Sequence, residues 1–526
     1  MNVRILASLL AAALGFAPTA PGQPERWYGM MTNDGDRQPY GMTEAWDLGH
    51  YMHGGAAAPM LISTEGRWIW SERPFTFAFT NGVPYVSDAR GEVRRGRAGT
   101  TLRDAYLEMM KAHFPFDGRT PPAVFFEKPQ FNTWIEMITK GFTQDVIEAY
   151  VRGIETNGYP CGVFEIDAGF QTFHGSNAFD PKKMPDPQSV YRRIRKNGWK
   201  TILWTSFNVL GGTPVAKEFA RHFVKTPKGD LFRFGLNPDT GRHSVLWDLT
   251  NPRAYEAFAG RLRAFADEYG FDGYKFDMGD PFNFTFVGDY AFHDKRKEPV
   301  DFTHAYLGLA ERFPLHEFRI GYCNGGKPVI QRLADTTHNW DFLVKMSTDV
   351  QVAGLLGSPY TVADMIGGGQ ESDWKKPDFK PDEKLFVRMA AIQALQPLMQ
   401  FSVAPWRVLS AEGNALCRTY AELHVKTAPY ILKEVAKTAK TGEPLVRMME
   451  YAYPHQGFAK RMTQYMLGDD LLVAPVCEPD DSVVVELPKG TWKDDLGETH
   501  VGPKTLNLKD VPLARLPHYW REGRKD

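Results

Sequence analysis

Four carboxylates in this sequence stand where strand-like runs end. Phe164-Glu165-Ile166-Asp167, Tyr274-Lys275-Phe276-Asp277 and Tyr360-Thr361-Val362-Ala363-Asp364 each close on an aspartate, and Asp335 follows Arg332-Leu333-Ala334. An apolar or aromatic run ending in Asp carries an ionisable group to the place where packing meets solvent. One such run is ordinary, because Asp also caps the helix that comes next; several converging on one mouth make a site. Paired carboxylates suit the cleavage of a glycosidic bond. One attacks the anomeric carbon while the other protonates the leaving oxygen and then activates water. Lys275 lies two residues before Asp277 and so shares its face of the strand; its charge favours an ionised Asp277. A proton donor needs the opposite treatment, a pKa raised by a less polar surrounding.

Strands that end in catalytic groups need a scaffold that gathers their C-terminal ends, and the chain from about residue 126 supplies one. Phe131-Asn132-Thr133-Trp134 reads as a short strand. Thr143 caps a helix whose Val146, Ile147, Tyr150, Val151 and Ile154 form one apolar face, stopped by Asn157-Gly158. Val163 to Asp167 is the next strand, a helix from about Pro187 to Lys196 ends at Asn197-Gly198, and Lys200 to Trp204 is a strand again. Asn251-Pro252 opens a further helix, with Tyr255, Phe258, Leu262, Phe265 and Tyr269 at three-and-four spacing and Gly270 as its stop. Repeated β–α units imply a parallel sheet, and their number implies closure into a (β/α)8 TIM barrel, an α/β fold whose catalytic residues lie at the C-terminal strand ends.

The flanks read differently. Residues 22–125 hold short β-like runs such as Pro59 to Ser63 and Pro74 to Phe79, an expected N-terminal β-sandwich in which Arg94, Arg95, Arg97 and Arg103 form a solvated face. The barrel is expected over 126–440. Beyond about 440 the helices are expected to stop, with Leu471 to Pro475 and Val483 to Pro488 as strands of a C-terminal β-module over 441–526. Residues 1–21 read as a secretory signal, a short basic start followed by the apolar run Ile5 to Phe16, and imply export to the periplasm or the extracellular space.

At 526 residues the chain has room for a barrel of about 250–400 residues and its flanking modules. A net charge of -1 gives no sign of a nucleic-acid partner, and no later run reaches the ~18 apolar residues of a membrane span. G-x-S-x-G, H-E-x-x-H, the P-loop and the dinucleotide fingerprint are all missing, so neither a metal nor a cofactor is expected, and Gly367-Gly368-Gly369 reads as a loop. Cys161, Cys323, Cys417 and Cys477 lie far apart, without metal-ligand spacing. Free buried thiols are expected for at least two of them. The oligomeric state is left open.

At this point the sequence resembles glycoside hydrolase family 31 over nearly its whole length. Gly273 through Asp280 resembles the family's nucleophile strand, and Ala334-Asp335-Thr336-Thr337-His338-Asn339-Trp340 its acid/base segment. Phe179-Asp180-Pro181 through Met184-Pro185-Asp186-Pro187, then Leu203-Trp204, is similar to the stretch after its second strand. Leu467 through Val476 resembles its C-terminal signature. The resemblance implies a retaining exo-acting α-glycosidase in which Asp277 is the nucleophile and Asp335 the general acid/base, acting on a glycoside or oligosaccharide. Within the family, Phe131 to Trp134, Asn157 to Gly162, Arg319-Ile320-Gly321-Tyr322 and Met399 to Trp406 are similar to a branch with α-galactosidase activity. That likeness implies that Trp134, Asp167, Lys275 and Arg319 line the pocket for the terminal sugar.

Against that branch, Asp167-Ala168 replaces a pair of aspartates and Asp280 replaces a glutamate. A pocket tryptophan has no counterpart in Phe232 to Pro238. The family's glucosidases carry a pocket histidine that Gln400-Phe401-Ser402 lacks. Other residues keep two readings. Asp364 binds sugar or braces a loop. Trp204 and Trp406 are stacking platforms or buried barrel residues. Asp248 reads as a structural tie and His338 as an exposed loop histidine.

Overall fold

The computed structural model describes residues 24–40, 45–47, 55–80, 82–237, 240–285 and 287–523. The expected signal segment lies outside these residues. Eight short strands run parallel in chain order: β1 (Gln130–Asn132), β2 (Val163–Ile166), β3 (Lys200–Thr205), β4 (Gly273–Phe276), β5 (Leu315–Phe318), β6 (Gln331–Arg332), β7 (Thr361–Val362) and β8 (Gln400–Phe401). β8 pairs with β1, and a parallel bridge from Ile366 to Phe401 joins the segment after β7 to β8, so the barrel closes.

Seven helices surround it: α1 (Gln144–Thr156), α2 (Pro187–Lys196), α3 (Pro252–Tyr269), α4 (Pro299–Leu307), α5 (Trp340–Leu355), α6 (Glu383–Ala394) and α7 (Ala411–Thr441). Local chemistry sets several ends. The Thr143 hydroxyl accepts from the Val146 amide, Asp186 precedes Pro187 and accepts from Ser189, and Asn251 accepts from Arg253. Gly270 closes α3 at φ 71°, a left-handed conformation that a side chain would resist.

The strands alternate in an unusual way. Outward residues are aromatic and pack against the helices. Phe131 stacks on Phe401 at 5.1 Å and meets Tyr150 of α1 at 6.0 Å; Phe276 stacks on Phe318 at 4.6 Å and meets Tyr306 of α4 at 5.7 Å. Inward residues are polar and fully buried: Gln130, Asn132, Glu165, Glu317 and Gln400, with Lys275 almost as enclosed. They bond to one another inside the barrel. Gln400 Nε2 donates to Glu317 at 3.0 Å and to Glu165 at 3.4 Å, and Asn132 Nδ2 donates to Glu165 at 2.6 Å.

Between β5 and β6 no helix forms. Ile320–Tyr322 is instead a strand, and it joins the N-terminal module by pairing with Gly55–Ser63. That module has two sheets. Trp27–Met31, Gly55–Ser63, Arg67–Trp70 and Arg94–Arg97 form one, and Ala45–Asp47, Thr76–Thr80 and Val83–Ser87 the other. Trp27, Leu61, Ile69, Phe75, Phe77 and Phe79 share one core between them. The helix Leu102–His113, in a stretch read as β-rich, covers the outer side of the first sheet through Tyr106, Met109 and Met110. It starts from a capping box between Thr101 and Asp104, a pattern the strand reading passed over.

A three-stranded insert (Asn208–Leu210, Phe234–Asn237, Arg242–Leu246) sits between β3 and α3. The C-terminal module is a six-stranded sheet, and the one-turn helix Met449–Ala452 corrects the expectation that helices end near 440. In its hairpin, Asp494, Glu498 and His500 bring ligand atoms within 4.8 Å of one another. Asp494 spends its oxygens on the Leu496 and Glu498 amides and on His500, which makes the group a turn brace. All four cysteines are free. Among the described residues no helix is long and apolar enough to cross a membrane.

Candidate active site

Asp277 follows β4 directly, and each atom of its carboxylate has a fixed neighbour. Oδ2 accepts from the Trp204 indole at 2.9 Å; Oδ1 accepts from the Met278 amide at 2.8 Å and from Arg319 at 3.3 Å. The Tyr306 hydroxyl donates to the Asp277 carbonyl at 2.9 Å. Met278 takes φ 62°, left-handed for a residue with a side chain, at a cost of roughly 1–2 kcal/mol. Strain of that kind persists where surrounding contacts over-determine it. Here it turns the amide back onto the carboxylate.

Asp335, three residues past β6, is a quarter exposed and accepts from Arg332 at 2.8 Å. Arg319 reaches it as well, with Nη2 3.9 Å from Oδ2. One guanidinium therefore stands between the two carboxylates at the C-terminal mouth. Burial pushes the Asp277 carboxyl up, but Arg319, Lys275, Arg332 and the Trp204 hydrogen bond outweigh it and hold it well below the usual carboxylate range. Asp335 is likewise held low. Burial and the Asp277 charge act against Arg332 and Arg319, and the arginines win. This corrects the expected raised pKa of a proton donor. The surroundings of Asp335 are less polar than water, yet an arginine 2.8 Å away decides the outcome.

The rest of the predicted site divides into groups that face the mouth and groups that brace it. Trp134, half-buried, opens a helical turn beside β1; its amide donates to Asn132 and its indole to the Gly369 carbonyl at 3.0 Å. Asp167, 2% exposed, accepts from Lys275 at 2.7 Å and from Asn132 at 2.9 Å. Lys275 also lies 3.1 Å from Glu165, so its charge is shared by two carboxylates before it reaches Asp277. Trp204 is buried, with His174 edge-on at 4.9 Å.

Asp364 is fully buried and its oxygens are spoken for. Arg332 takes one at 2.8 Å, while the Thr336 amide, the Thr336 hydroxyl and the Gly369 amide take the other. Of its two readings, these contacts support the brace. Trp406 packs outside the barrel against Tyr150 and Tyr159, each at 5.7 Å, so it offers no platform to the mouth. His338 is half-buried against Trp374 and Phe379 and donates to the Gly367 carbonyl, so it is no free loop residue. Asp248 ties Thr250 to the His293 amide. In the insert, Phe232 is buried against Phe284.

Sequence reasoning missed Asn132, Glu165, Glu317, Arg332 and Gln400 as members of the site's floor. The available signal was alternation: Gln-Phe-Asn, Phe-Glu-Ile-Asp, Tyr-Lys-Phe-Asp and Glu-Phe-Arg each set a polar residue every second position, one strand face apart from the aromatics.

Residues 127–434 match the model of the glycosyl hydrolases family 31 TIM-barrel domain, and residues 442–524 that of the family's C-terminal domain. The chain is 29% identical over 430 residues to mouse myogenesis-regulating glycosidase, covering 79% of this chain and 59% of that protein. It is 27% identical over 381 residues to the 1,3-alpha-isomaltosidase of Kribbella flavida, covering 65% and 50%. The chain thus spans between half and three-fifths of the length of these curated relatives. Among solved structures, the Flavobacterium johnsoniae GH31 dextranase complexed with glucose superposes with a TM-score of 0.82 at 17% identity, over 98% of this chain and 68% of that one. The cycloalternan-degrading enzyme of Trueperella pyogenes gives 0.77 at 20% identity, over 95% and 80%.

Proposed function

Because the chain belongs to glycosyl hydrolase family 31, we propose that it is an exported, retaining α-glycosidase that removes a terminal α-linked sugar by double displacement, and that the sugar is galactose. The observation that carries the reading is the single guanidinium of Arg319 lodged between Asp277 and Asp335. Asp277, held ionised and aimed by three donors, attacks the anomeric carbon. The glycosidic bond breaks towards its oxygen, which takes the Asp335 proton, and Asp335 then draws a proton from the water that frees the sugar. When Asp277 becomes an ester its negative charge disappears, and the remaining arginines strengthen Asp335 as a carboxylate ready to act as base.

Trp134 offers the sugar an apolar face, Asp167 an acceptor edge, and Lys275 and Arg319 their donors. Galactose and glucose differ only at O4, so preference rests on groups along that edge. One charged hydrogen bond lost there is worth about 1.5–3 kcal/mol, roughly tenfold to over a hundredfold. An α-glucosidase or α-xylosidase is the second reading, favoured by relatives named 1,3-alpha-isomaltosidase and alpha-xylosidase. The test is kcat/KM on matched 4-nitrophenyl α-galactoside, α-glucoside and α-xyloside. A galactoside preference of about tenfold or more is expected; a glucoside or xyloside preference overturns the sugar and leaves the double displacement standing. Export rests on the Ile5 to Phe16 run, and the N-terminal sequence of secreted protein tests it.

A further inference from the structure

The three consecutive glycines at 367–369 form a clamp. Each carbonyl is held by the ring N–H of a different side chain: Gly367 by His338 Nδ1 at 3.0 Å, Gly368 by the Trp374 indole at 3.3 Å, and Gly369 by the Trp134 indole at 3.0 Å. The Gly369 amide donates to Asp364 Oδ2 at 2.9 Å, and the same oxygen accepts from the amide and hydroxyl of Thr336, the residue after Asp335. Gln370 completes the tie by donating to the Thr336 carbonyl at 3.0 Å.

Gly367 and Gly368 take φ 99° and 88°, where only glycine is at ease. Gly369 has no such demand, and what excludes a side chain there is space. A Cβ on Gly369 would stand 2.7 Å from Met365 Cε, 2.9 Å from Asp364 Oδ1 and 3.1 Å from Asp335 Oδ1. Met365 can swing its flexible end aside. A methyl group there presses on both carboxylates; Asp364 is fully buried and held through both oxygens by Arg332, Thr336 and Gly369, while Asp335, a quarter exposed and held by arginines alone, has the more room to yield.

We propose that this triglycine clamp is a positioning element for the acid/base, with Gly369 the positioning residue that keeps Asp335 in register with the Trp134 sugar platform. The proposal rests on Asp335 being the proton donor. A donor displaced by a few tenths of an ångström fails most where the leaving group needs its proton, and least where the leaving group departs unaided.

The experiment compares wild type, Gly369→Ala, Thr336→Ala and Asp335→Ala on two glycosides of the best-cleaved sugar, one with a methyl and one with a 2,4-dinitrophenyl leaving group. Gly369→Ala is expected to lower kcat/KM on the methyl glycoside about tenfold or more, and on the dinitrophenyl glycoside by about threefold or less. Thr336→Ala loses the hydroxyl that donates to Asp364 and adds no atom, so it should show the same split at about threefold, and it decides the question if the Gly369 variant does not fold. Equal losses on both substrates, or none on either, overturn the clamp's role. Asp335→Ala marks the difference from a wrong starting point: if that variant shows no leaving-group split, the assignment of Asp335 falls and the proposal with it.

Discussion

Between the inner and outer faces of the eight barrel strands, residues one step apart in sequence do opposite work. Phe276 stacks on Phe318 outside, while Lys275 and Asp277 on either side of it turn inwards to carboxylates and to Arg319. Phe131 packs on Phe401 outside, while Gln130 and Asn132 bond inside the barrel to polar neighbours on the adjoining strands. The outer face stabilises by area removed from water and tolerates any shape that fills it. Six inner carboxylates (Glu165, Asp167, Asp277, Glu317, Asp335 and Asp364) share three cations (Lys275, Arg319 and Arg332). Those cations cannot neutralise all six, so burial pushes Glu165, Glu317 and Asp364 up towards their neutral forms while the cations hold Asp277 and Asp335 ionised. The inner face thus divides its carboxylates, with Asp277 and Asp335 held low by the cations and Glu165, Glu317 and Asp364 pushed up by burial.

The sharpest break in this division is Asp277→Ala. Turnover should fall by about 10⁴-fold or more on every substrate, with the urea midpoint hardly changed, since no outer packing is touched. The opposite break is Phe276→Ala, which should cost about 3–5 kcal/mol in equilibrium unfolding. Its loss of kcat/KM at a temperature where the variant stays folded should be small beside that of Asp277→Ala; a comparable loss would mean that the two faces are not separable.

The low pKa of Asp335 gives the next test. At neutral pH the acid form of a carboxyl held below its usual range is scarce, and it becomes scarcer as pH rises. On a glycoside with a poor leaving group, kcat/KM should therefore decline with rising pH, by up to about tenfold per unit, and the dinitrophenyl glycoside should decline less. A flat profile to pH 8 on the poor leaving group would show that Asp335 of the free enzyme keeps its proton there against the pull of Arg332 and Arg319. The smallest effect is expected from Glu317→Gln. Its carboxyl is pushed up by burial and accepts from Gln400 at 3.0 Å, so an amide oxygen can take the same bond, and stability should change by less than about 1 kcal/mol. A large loss would place a charge on Glu317.

The helices α1, α2 and α3 were legible because each carries its own cap, its apolar stripe and its stop within a short window. Asp277 and Asp335 were legible for a similar reason, as strand ends with a local signature. What stayed hidden depends on contacts distant in sequence. Asp364 looks like any strand-end carboxylate until Arg332, Thr336 and Gly369 are seen to use up its oxygens. Trp406 looks like a platform until it is found behind β8, against α1. The lowered pKa of Asp335 needs Arg332 and Arg319 at known distances, and spacing along the chain does not supply a distance.

The strand that replaces a barrel helix after β5 bears on where this chain can be cut. Arg319 is the last residue before Ile320–Tyr322; its amide donates to the Phe276 carbonyl at 3.1 Å and its own carbonyl accepts from Gly55 at 2.9 Å. The backbone of the residue that bridges both carboxylates is therefore pinned on one side by β4 and on the other by the N-terminal sheet. A shortened gene product starting at the barrel would keep Asp277, Asp335 and Arg319 and lose the anchor for Arg319. The barrel and the N-terminal module are joined here through backbone pairing, and a chimaera that exchanged the first sheet for a foreign sandwich would have to reproduce the edge at Gly55 to Ala57 to hold Arg319 in place.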